Sequence, residues 1–554
     1  MTFRPQTRLI ATAAVALLTI GLAGPVAYSA PSEPTIGPDW RTSPRPSILG
    51  GYKNVVVIYQ ENHSFDNLYG LWGKVGRSAV DGPGQATAAQ KRQIGQDGSA
   101  YRCLPQNDVN LTSPPLASSC SDPAHGIADS AFANKPFLID DYIKPTDTTC
   151  PAPGTSAPKG VLKGSGEIGG CTRDLVHRFY QEKYQINGGR QNRYVTGSDA
   201  VGLSMGIYDT TKLPIYTYLH ADGAPHYVIA DRFFQGANGG SFLNHQWLIA
   251  GRAPLVTPDA TIPADKKALN SVVDTNGMPV NNYDQYTTSA TVVDGQMTVA
   301  CANPADVENY RLACGNFAVN TVQPGQTPRS SGRYMPLIDD AVYPNIGDRL
   351  SAKGISWAWY SGGWDDAEAG SPGPLFQYHH QPFNYFAAYA PGTPGRHHLQ
   401  DETDFFDAAA VGNLPSVSFV KPYGAENEHP GYASANSGSS HLVDLIKAVM
   451  NGPQGRQTLI IVTYDEFGGS WDHVPPPGAG SATKGAYDAF GPGTRIPALL
   501  VSKRMTASGV DHTVYDTTSI IATLERAYGL APVGIRDTKV RDLQTAIRLG
   551  SGHR

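Results

Sequence analysis

The sequence predicts an α/β fold with a mostly parallel central sheet, helices on both of its faces, and loop and strand insertions. Two observations lead to this prediction. Apolar runs of strand length alternate with segments whose apolar residues recur at helical spacing. Polar side chains that bind metals then follow two of these runs directly, as expected where parallel strands end at one edge of a sheet. At 554 residues, the chain is long enough to bury a large core.

The predicted elements follow one another in chain order. The first strand covers residues 55–59, and Ser64 could cap the short helix after it. A second strand-like run covers residues 225–234, and the segment that begins at Ser241 has apolar residues at helical spacing. The alternation resumes with strands at 355–360, 416–420, 459–464 and 496–502, and with helices at 441–451 and 518–530.

Two stretches interrupt this alternation and, together with Cys171 directly after the first of them, account for all six cysteines. Residues 82–169 are rich in Gly, Pro, Ser and Asp, and residues 253–335 hold much Thr, Asn and Pro. We interpret both as disulfide-pinned insertions in a single catalytic domain of residues 51–554, which follows a linker at 31–50. The sequence leaves the pairing open, but neighbouring cysteines would close three short loops: Cys103–Cys120, Cys150–Cys171 and Cys301–Cys314.

The first 30 residues have the pattern of a cleaved Sec-type signal peptide. Arg4 and Arg8 precede an apolar run at 9–23, and small residues follow at 27–30. We therefore expect a secreted or periplasmic protein without a stable membrane anchor, since no other segment could span a bilayer. The net charge of −5 gives no electrostatic basis for binding nucleic acid. The oligomeric state is left open.

Oxygen-bearing side chains follow two apolar strands. Glu61 and Asn62 come after the strand at 55–59, and Asp465 and Glu466 come after the strand at 459–464. Either pair alone is better interpreted as a solvated loop or a helix cap. Together they predict one divalent metal ion, because hard cations prefer carboxylate and amide oxygens. Calcium, magnesium, manganese, iron and zinc all stay open.

A serine and several histidines are the remaining candidates for catalysis. Ser241 follows two glycines at the start of a predicted helix, where main-chain N–H groups favour phosphate, and its hydroxyl could act as a nucleophile. Spacing alone favours a helix cap for this serine. His429, in a polar loop after the strand at 416–420, could protonate a leaving alkoxide. His125 and His245 are weaker candidates of the same kind.

Four motifs carry a resemblance to a known family. They are ENHSFDNLYG from Glu61, DRFFQGANGGSFLNHQW from Asp231, KPYGAENEHPGY from Lys421 and TYDEFGGSWDHVPPP from Thr463. With their spacing they span about residues 52–530. The chain resembles the bacterial phosphoesterase family that joins phospholipases C to secreted acid phosphatases, within the alkaline-phosphatase-like superfamily.

The resemblance implies a role for each candidate residue. Ser241 would be the nucleophile and a metal ligand, His429 would contact phosphate or the leaving group, and His125 would have a supporting role. His473 would lie near the metal. The other metal ligands would be Glu61, Asn62, Asp465 and Glu466.

Two segments are more similar to the acid-phosphatase branch, WAWYSGGWDD from Trp357 and YHHQPFNYFAAYAPGT from Tyr378. The resemblance thus implies a phosphomonoesterase that forms a phosphoserine intermediate. One alternative is a phospholipase C that cleaves head groups such as that of phosphatidylcholine, and a second is a non-catalytic binding protein. A choline cage could be built from four aromatic residues, although we favour ordinary packing for them: Trp357, Trp359, Tyr360 and Trp364.

Overall fold

The computed structural model describes residues 48–106, 118–161, 164–255, 272–294, 317–319, 328 and 337–552. Residues 47–554 form one compact unit. The predicted signal peptide, most of the predicted linker, and Cys301 and Cys314 lie outside the described residues.

The centre of the molecule is an eight-stranded sheet with the spatial order β4-β3-β5-β1-β6-β7-β2-β8. Every neighbouring pair is parallel except the two that involve β7, which runs antiparallel to β6 and β2. The predicted mostly parallel α/β sheet is therefore confirmed. The strands are β1 (Asn54–Gln60), β2 (His226–Ala230), β3 (Trp357–Ser361), β4 (Leu399–Asp401), β5 (Val417–Lys421), β6 (Thr458–Tyr464), β7 (Ala498–Ser502) and β8 (Gly509–Asp511).

Helices cover both faces of this sheet. Successive side chains of a strand point to opposite faces. On β3, Trp359 faces His245 of helix α5, with 6.3 Å between ring centroids, and Tyr360 faces Phe405 of helix α8 at 5.6 Å. The α-helices of the described residues are α1 (Phe65–Leu68), α2 (Ala88–Lys91), α3 (Phe179–Ile186), α4 (Pro214–His220), α5 (Ser241–Ala250), α6 (Ile346–Ala352), α7 (Trp364–Glu368), α8 (Glu402–Val411), α9 (Ala435–Asn451), α10 (Thr518–Tyr528) and α11 (Gln544–Gly550).

The register of β1 against β6 places their ends at the same level. Both strands are buried throughout, and the pairing runs in step to Gln60 opposite Tyr464. The residues that follow, Glu61 on one strand and Asp465 on the other, therefore leave the sheet side by side. The prediction that Ser64 caps the next helix is confirmed, since its hydroxyl accepts a hydrogen bond from the main-chain N–H of Asn67.

Several elements differ from the sequence-based expectations. Strands β4 and β8 and helix α8 were not predicted, because the two strands have three residues each and lack a long apolar run. Helix α9 begins at Ala435, well before the predicted residue 441. Its first turn is polar and is held by the side chain of Ser434, which accepts a hydrogen bond from Ser437 N–H, so hydrophobic periodicity could not locate this start.

The insertion at 82–169 forms small ribbons and packs into a second hydrophobic cluster together with residues from outside it. The ribbons include Cys120–Asp122 paired with Ile127–Ser130, and Thr148–Cys150 paired with Glu167–Ile168. The Cys103–Cys120 and Cys150–Cys171 disulfides are present as expected. Aromatic residues of this insertion share their cluster with Phe467 and Trp471, which follow β6. The insertion thus supports the segment that leaves the sheet after Glu466.

The described part of the chain contains no helix with the length and the apolar character needed to cross a bilayer.

Candidate active site

The ends of β1 and β6 are joined by hydrogen bonds. Asp465 Oδ1 accepts from the main-chain N–H of Asn62 (3.3 Å) and from that of Glu466 (2.7 Å). Asn62 has a positive φ of 64°, so the chain turns sharply as soon as β1 ends. A side chain at Gly468 would not fit, because its Cβ would lie 2.2 Å from the carbonyl oxygen of Asn62. The two segments can approach this closely only with glycine there.

Ser241 is the first residue of α5 and is buried beside Glu466. Its Oγ donates a hydrogen bond to Glu466 Oε1 (2.7 Å), and Gly240 occupies the cap position without a side-chain hydrogen bond. The serine is therefore not the helix cap that its spacing favoured. Glu182 fixes the loop before it, since Oε2 accepts from the main-chain N–H of Gly239 (2.5 Å). The hydroxyl is thus held next to the carboxylates at the end of β6.

Several buried polar atoms at the ends of β1 and β6 have no hydrogen-bond partner. Among the described residues, Asp465 Oδ2, Glu466 Oε2 and both amide atoms of Asn62 make no hydrogen bond. Burial raises the pKa of Asp465 to about 7 and that of Glu466 well above its usual value. Unpaired buried carboxylates are costly, and a set of oxygen donors suits a divalent cation. The residues present therefore fit a metal ion held by the predicted ligands.

Glu61 differs from these groups in its surroundings: Oε1 also makes no hydrogen bond among the described residues, but two basic side chains lie beside it. Oε1 lies 2.9 Å from Lys421 Nζ and 2.5 Å from His380 Nε2, and Oε2 accepts from Asn427 Nδ2 (3.0 Å). Burial opposes ionisation, but His380 and Lys421 outweigh it and lower the pKa of Glu61 well below its usual value. His245 offers a nitrogen within 4.8 Å of Glu61 and His380, which makes a second set of ligand atoms. Because Lys421 repels a cation beside Glu61 and His380, we favour a metal held by Asn62, Asp465, Glu466 and Ser241, with Glu61 near them.

Two histidines lie on the other side of Ser241. His177 Nε2 is 3.8 Å from Glu466 Oε1, and its Nδ1 is 3.3 Å from Asp174 Oδ1. Burial acts to lower the pKa of His177, but Glu466 and Asp174 raise it to about 10. Burial lowers the pKa of His429, whose Nε2 hydrogen-bonds the hydroxyl of Tyr432 (3.0 Å). The site therefore presents one charged and one neutral imidazole.

Ser241, His177 and His429 line a common cavity of about 410 Å³. Its other walls come from the loop at 156–159, from residues 173–178 and from Asp199, Gln377 and Tyr432. A buried hydroxyl paired with a carboxylate, next to a cationic histidine, is an arrangement that could bind and attack an anionic ester.

His125 does not contact this cluster in the structure. Its Nδ1 lies 2.7 Å from Asp122 Oδ2, its Nε2 lies 2.9 Å from Ser99 Oγ, and its ring packs on Tyr101. These contacts hold together a hairpin of the insertion. The supporting catalytic role of His125 stays a prediction to which the described contacts add nothing.

His473 belongs to a separate buried charge cluster. Its Nδ1 is 2.6 Å from Asp66 Oδ2, and its Nε2 is 3.1 Å from Asp81 Oδ1. Arg495 donates to Asp66 (2.9 Å) and to Asp472 (3.0 Å) in the same cluster. The cluster connects α1 to the segment after β6, so it helps to hold in place the chain that follows Asp465 and Glu466.

Replacing His473 by glutamine is expected to change how stability depends on pH. Burial alone would lower the pKa of His473, but Asp66 and Asp81 raise it to about 9, above the usual value of 6.5. Its stabilisation is therefore fully present below about pH 6.5 and is lost as pH rises through 9, which amounts to roughly 3 kcal/mol at most. Urea unfolding at pH 6 and 9.5 should show a smaller loss in His473→Gln than in wild type. An equal loss in both proteins would contradict this, and the exposed His226→Gln is the control.

Several residues that contact the candidates were not chosen from the sequence, among them Lys421, Asn427 and His177. Lys421 is the last residue of β5, directly after the predicted strand at 416–420, so the strand-end argument could have found it. Asn427 lies in a motif from which only His429 was chosen. Nothing in the local sequence marks His177. The aromatic residues considered for a choline cage are all buried in the core, outside the lining of the cavity: Trp357, Trp359, Tyr360 and Trp364.

Comparisons with known proteins agree with this chemistry. The model of a group described as the phosphoesterase family matches residues 52–531. Phospholipase C B of Mycobacterium tuberculosis is 23% identical over 589 residues, which cover 100% of this chain and 86% of that protein. Non-hemolytic phospholipase C of Pseudomonas aeruginosa is 29% identical over 223 residues, or 35% of this chain and 31% of that protein.

A solved structure from Vibrio parahaemolyticus is described as a protein in the alkaline phosphatase superfamily. The match covers 36% of this chain and 51% of that one, with 14% identity. Its TM-score of 0.22 is too low to support an argument.

Proposed function

The chain belongs to the phosphoesterase family and is a hydrolase of phosphoric esters, and from this premise we propose that it is a phosphomonoesterase working through a phosphoserine intermediate. The observation that supports this most directly is the Ser241 hydroxyl, 2.7 Å from a buried carboxylate oxygen of Glu466. It lies at the start of a helix, in one cavity with His177 and His429. We further propose, from the predicted signal peptide, that the enzyme is secreted or periplasmic.

The groups around Ser241 suit a dianionic phosphoryl group. The main-chain N–H groups at the start of α5 and the charge on His177 would balance its oxygens. Asn62, Asp465, Glu466 and the serine itself, with Glu61 near them, would hold a divalent metal. When bound, such an ion lowers the pKa of a coordinated hydroxyl and offsets negative charge on the phosphoryl oxygens.

Each of the two steps of the reaction needs two proton movements. Ser241 Oγ gives its proton to Glu466 Oε1 and forms a bond to phosphorus, while the bond from phosphorus to the ester oxygen breaks in line with it. A histidine of the cavity protonates the departing alkoxide. The sequence-based choice is His429, which would first have to gain a proton because burial lowers its pKa. The alternative that the geometry offers is His177, whose pKa of about 10 keeps it protonated at neutral pH. Water then attacks the phosphoserine and gives a proton to the histidine that protonated the alkoxide, while the bond from phosphorus to Ser241 Oγ breaks and the serine regains its proton from Glu466, which releases phosphate.

Phospholipase C activity is the second candidate, and the names of the relatives favour it. A choline head group is usually recognised by several aromatic faces. Tyr432 is the aromatic residue in the described lining of the cavity, and its ring is stacked on His429. The cavity thus offers little to a quaternary ammonium group, which supports a monoester substrate.

Hydrolysis of two matched substrates tests the proposal. The mature protein is given an aryl phosphate and the phosphocholine diester of the same phenol, each with chelator and then with added metal. We expect faster cleavage of the monoester, lost with chelator and restored by metal. A preference for the diester would assign the enzyme to phospholipase C, and no cleavage of either substrate by metal-loaded protein would favour a non-catalytic binding protein.

A further inference from the structure

We infer that the mouth of the cavity is a subsite for a second anionic group on the alcohol part of the substrate, formed by Lys159 and Arg178. The inference rests on the proposed function, because it assumes that the phosphoryl group lies at Ser241. It names a substrate class, namely phosphate monoesters whose alcohol also carries a phosphate or a carboxylate.

The charges that line the cavity leave two cations unbalanced. Arg173 pairs with Asp199 (3.3 Å), whose other oxygen accepts the main-chain N–H of Val176 (2.9 Å). Asp174 pairs with His177 (3.3 Å), and Arg178 is a weaker electrostatic neighbour of this carboxylate, outside ion-pair distance. The exposed side chains of Lys159 and Arg178 have no carboxylate within ion-pair distance in the described part of the chain. The mouth therefore has a local positive charge although the whole protein has a net charge of −5.

The disulfide-pinned insertion holds Lys159 in place. The Cys150–Cys171 disulfide closes the stretch that contains it. Ala157 N–H donates to the carbonyl of Gly431 (2.8 Å), two residues after His429, and Asp174 N–H donates to the carbonyl of Pro158 (2.7 Å). The two residues before Lys159 are thus bonded to both segments that carry the histidines, which fixes the main chain that leads to it. The insertion supplies no residue for the proposed reaction steps, but through Lys159 it would contribute to the choice of substrate.

The geometry of the reaction directs the alcohol toward these cations. In an in-line attack the leaving oxygen lies opposite the nucleophile, so the alcohol extends away from buried Ser241 toward the open side of the cavity. An anionic substituent there is attracted by Lys159 and Arg178, whereas a quaternary ammonium is repelled. Because both side chains are exposed, each should contribute a modest amount that salt reduces.

Three aryl phosphates test the subsite: phenyl phosphate, 4-carboxyphenyl phosphate and 4-(trimethylammonio)phenyl phosphate. Each is assayed with wild type, Lys159→Gln, Arg178→Gln, the double variant and Lys353→Gln, an exposed lysine on the α6 side of the molecule as control. Comparing one substrate between variants removes differences in intrinsic reactivity. We expect kcat/KM for the carboxylate substrate to fall about threefold to fivefold in each single variant and about tenfold in the double variant. Phenyl phosphate should change less than about twofold.

The outcomes separate this inference from the proposed function. Equal losses on all three substrates, or unchanged selectivity in an active double variant, would overturn the subsite alone. If wild type hydrolyses none of them, the proposed function fails, and binding of phenylphosphonate and 4-carboxyphenylphosphonate is measured by calorimetry instead. Tighter binding of 4-carboxyphenylphosphonate than of phenylphosphonate supports the subsite if the difference is smaller in the double variant and at high salt. If the difference is the same in the double variant and at high salt, the subsite is overturned.

Discussion

Replacing Ser241 by alanine is expected to lower kcat for phosphate monoesters by on the order of 10⁴-fold or more, because the variant lacks the atom that attacks phosphorus. The fold should be unaffected. Ser241 does not cap α5, and its hydroxyl bonds only Glu466 Oε1 among the described residues, so alanine removes one hydrogen bond and creates little space. The circular dichroism spectrum of the variant should therefore match that of wild type. The variant should still bind the metal, with an affinity reduced only by the loss of one oxygen ligand.

Trapping the intermediate distinguishes a nucleophile from a residue that only positions substrate. Wild type mixed with a phosphorus-labelled aryl phosphate and quenched in acid should retain label on the protein, whereas Ser241→Ala should retain none. Ser440→Ala, an exposed serine of α9, is the matched control and should keep both label and rate. A wild-type rate in Ser241→Ala, or label retained by it, would refute the assignment.

The central sheet and its polar edge could be predicted because both depend on local patterns. Fully buried strands have continuous apolar sequences, so β1 and β6 were found within a residue or so of their ends. The approach of Glu61 to Asp465 followed from one rule, that parallel strands end at a common edge. The same rule applied to β5 would have added Lys421, whose ammonium group lies 2.9 Å from Glu61.

The rest of the site depends on contacts that local sequence does not encode. His177 reaches Glu466 from a loop outside the sheet, and its pKa of about 10 results from two carboxylates that surround it only after folding. His473 is only seven positions after Glu466, yet it turns away and binds Asp66. Ser241 has the sequence context of a helix cap, and only the tertiary structure places a carboxylate against its hydroxyl. Spacing along the chain could not separate these cases.

Replacing Asp465 by asparagine is expected to remove bound metal and activity together, with kcat/KM falling at least about 100-fold. The substitution is nearly isosteric, and it distinguishes the role of one side-chain oxygen from that of the other. Asparagine keeps Oδ1, which accepts from the main-chain N–H groups of Asn62 and Glu466 and so holds the strand ends together. It replaces Oδ2, which has no hydrogen-bond partner in the described structure, by an amide nitrogen that cannot bind a cation.

The metal-free form of this variant gives the decisive control. Burial disfavours the charge on Asp465, so in chelator Asp465→Asn should unfold at a temperature no lower than wild type. Adding metal should raise the melting temperature of wild type and of the exposed control Asp407→Asn, but not that of Asp465→Asn. Elemental analysis measures bound metal directly. Normal metal content in the variant would refute Asp465 as a ligand, whereas lost activity with a lower melting temperature in chelator would mean that Oδ2 has a structural role.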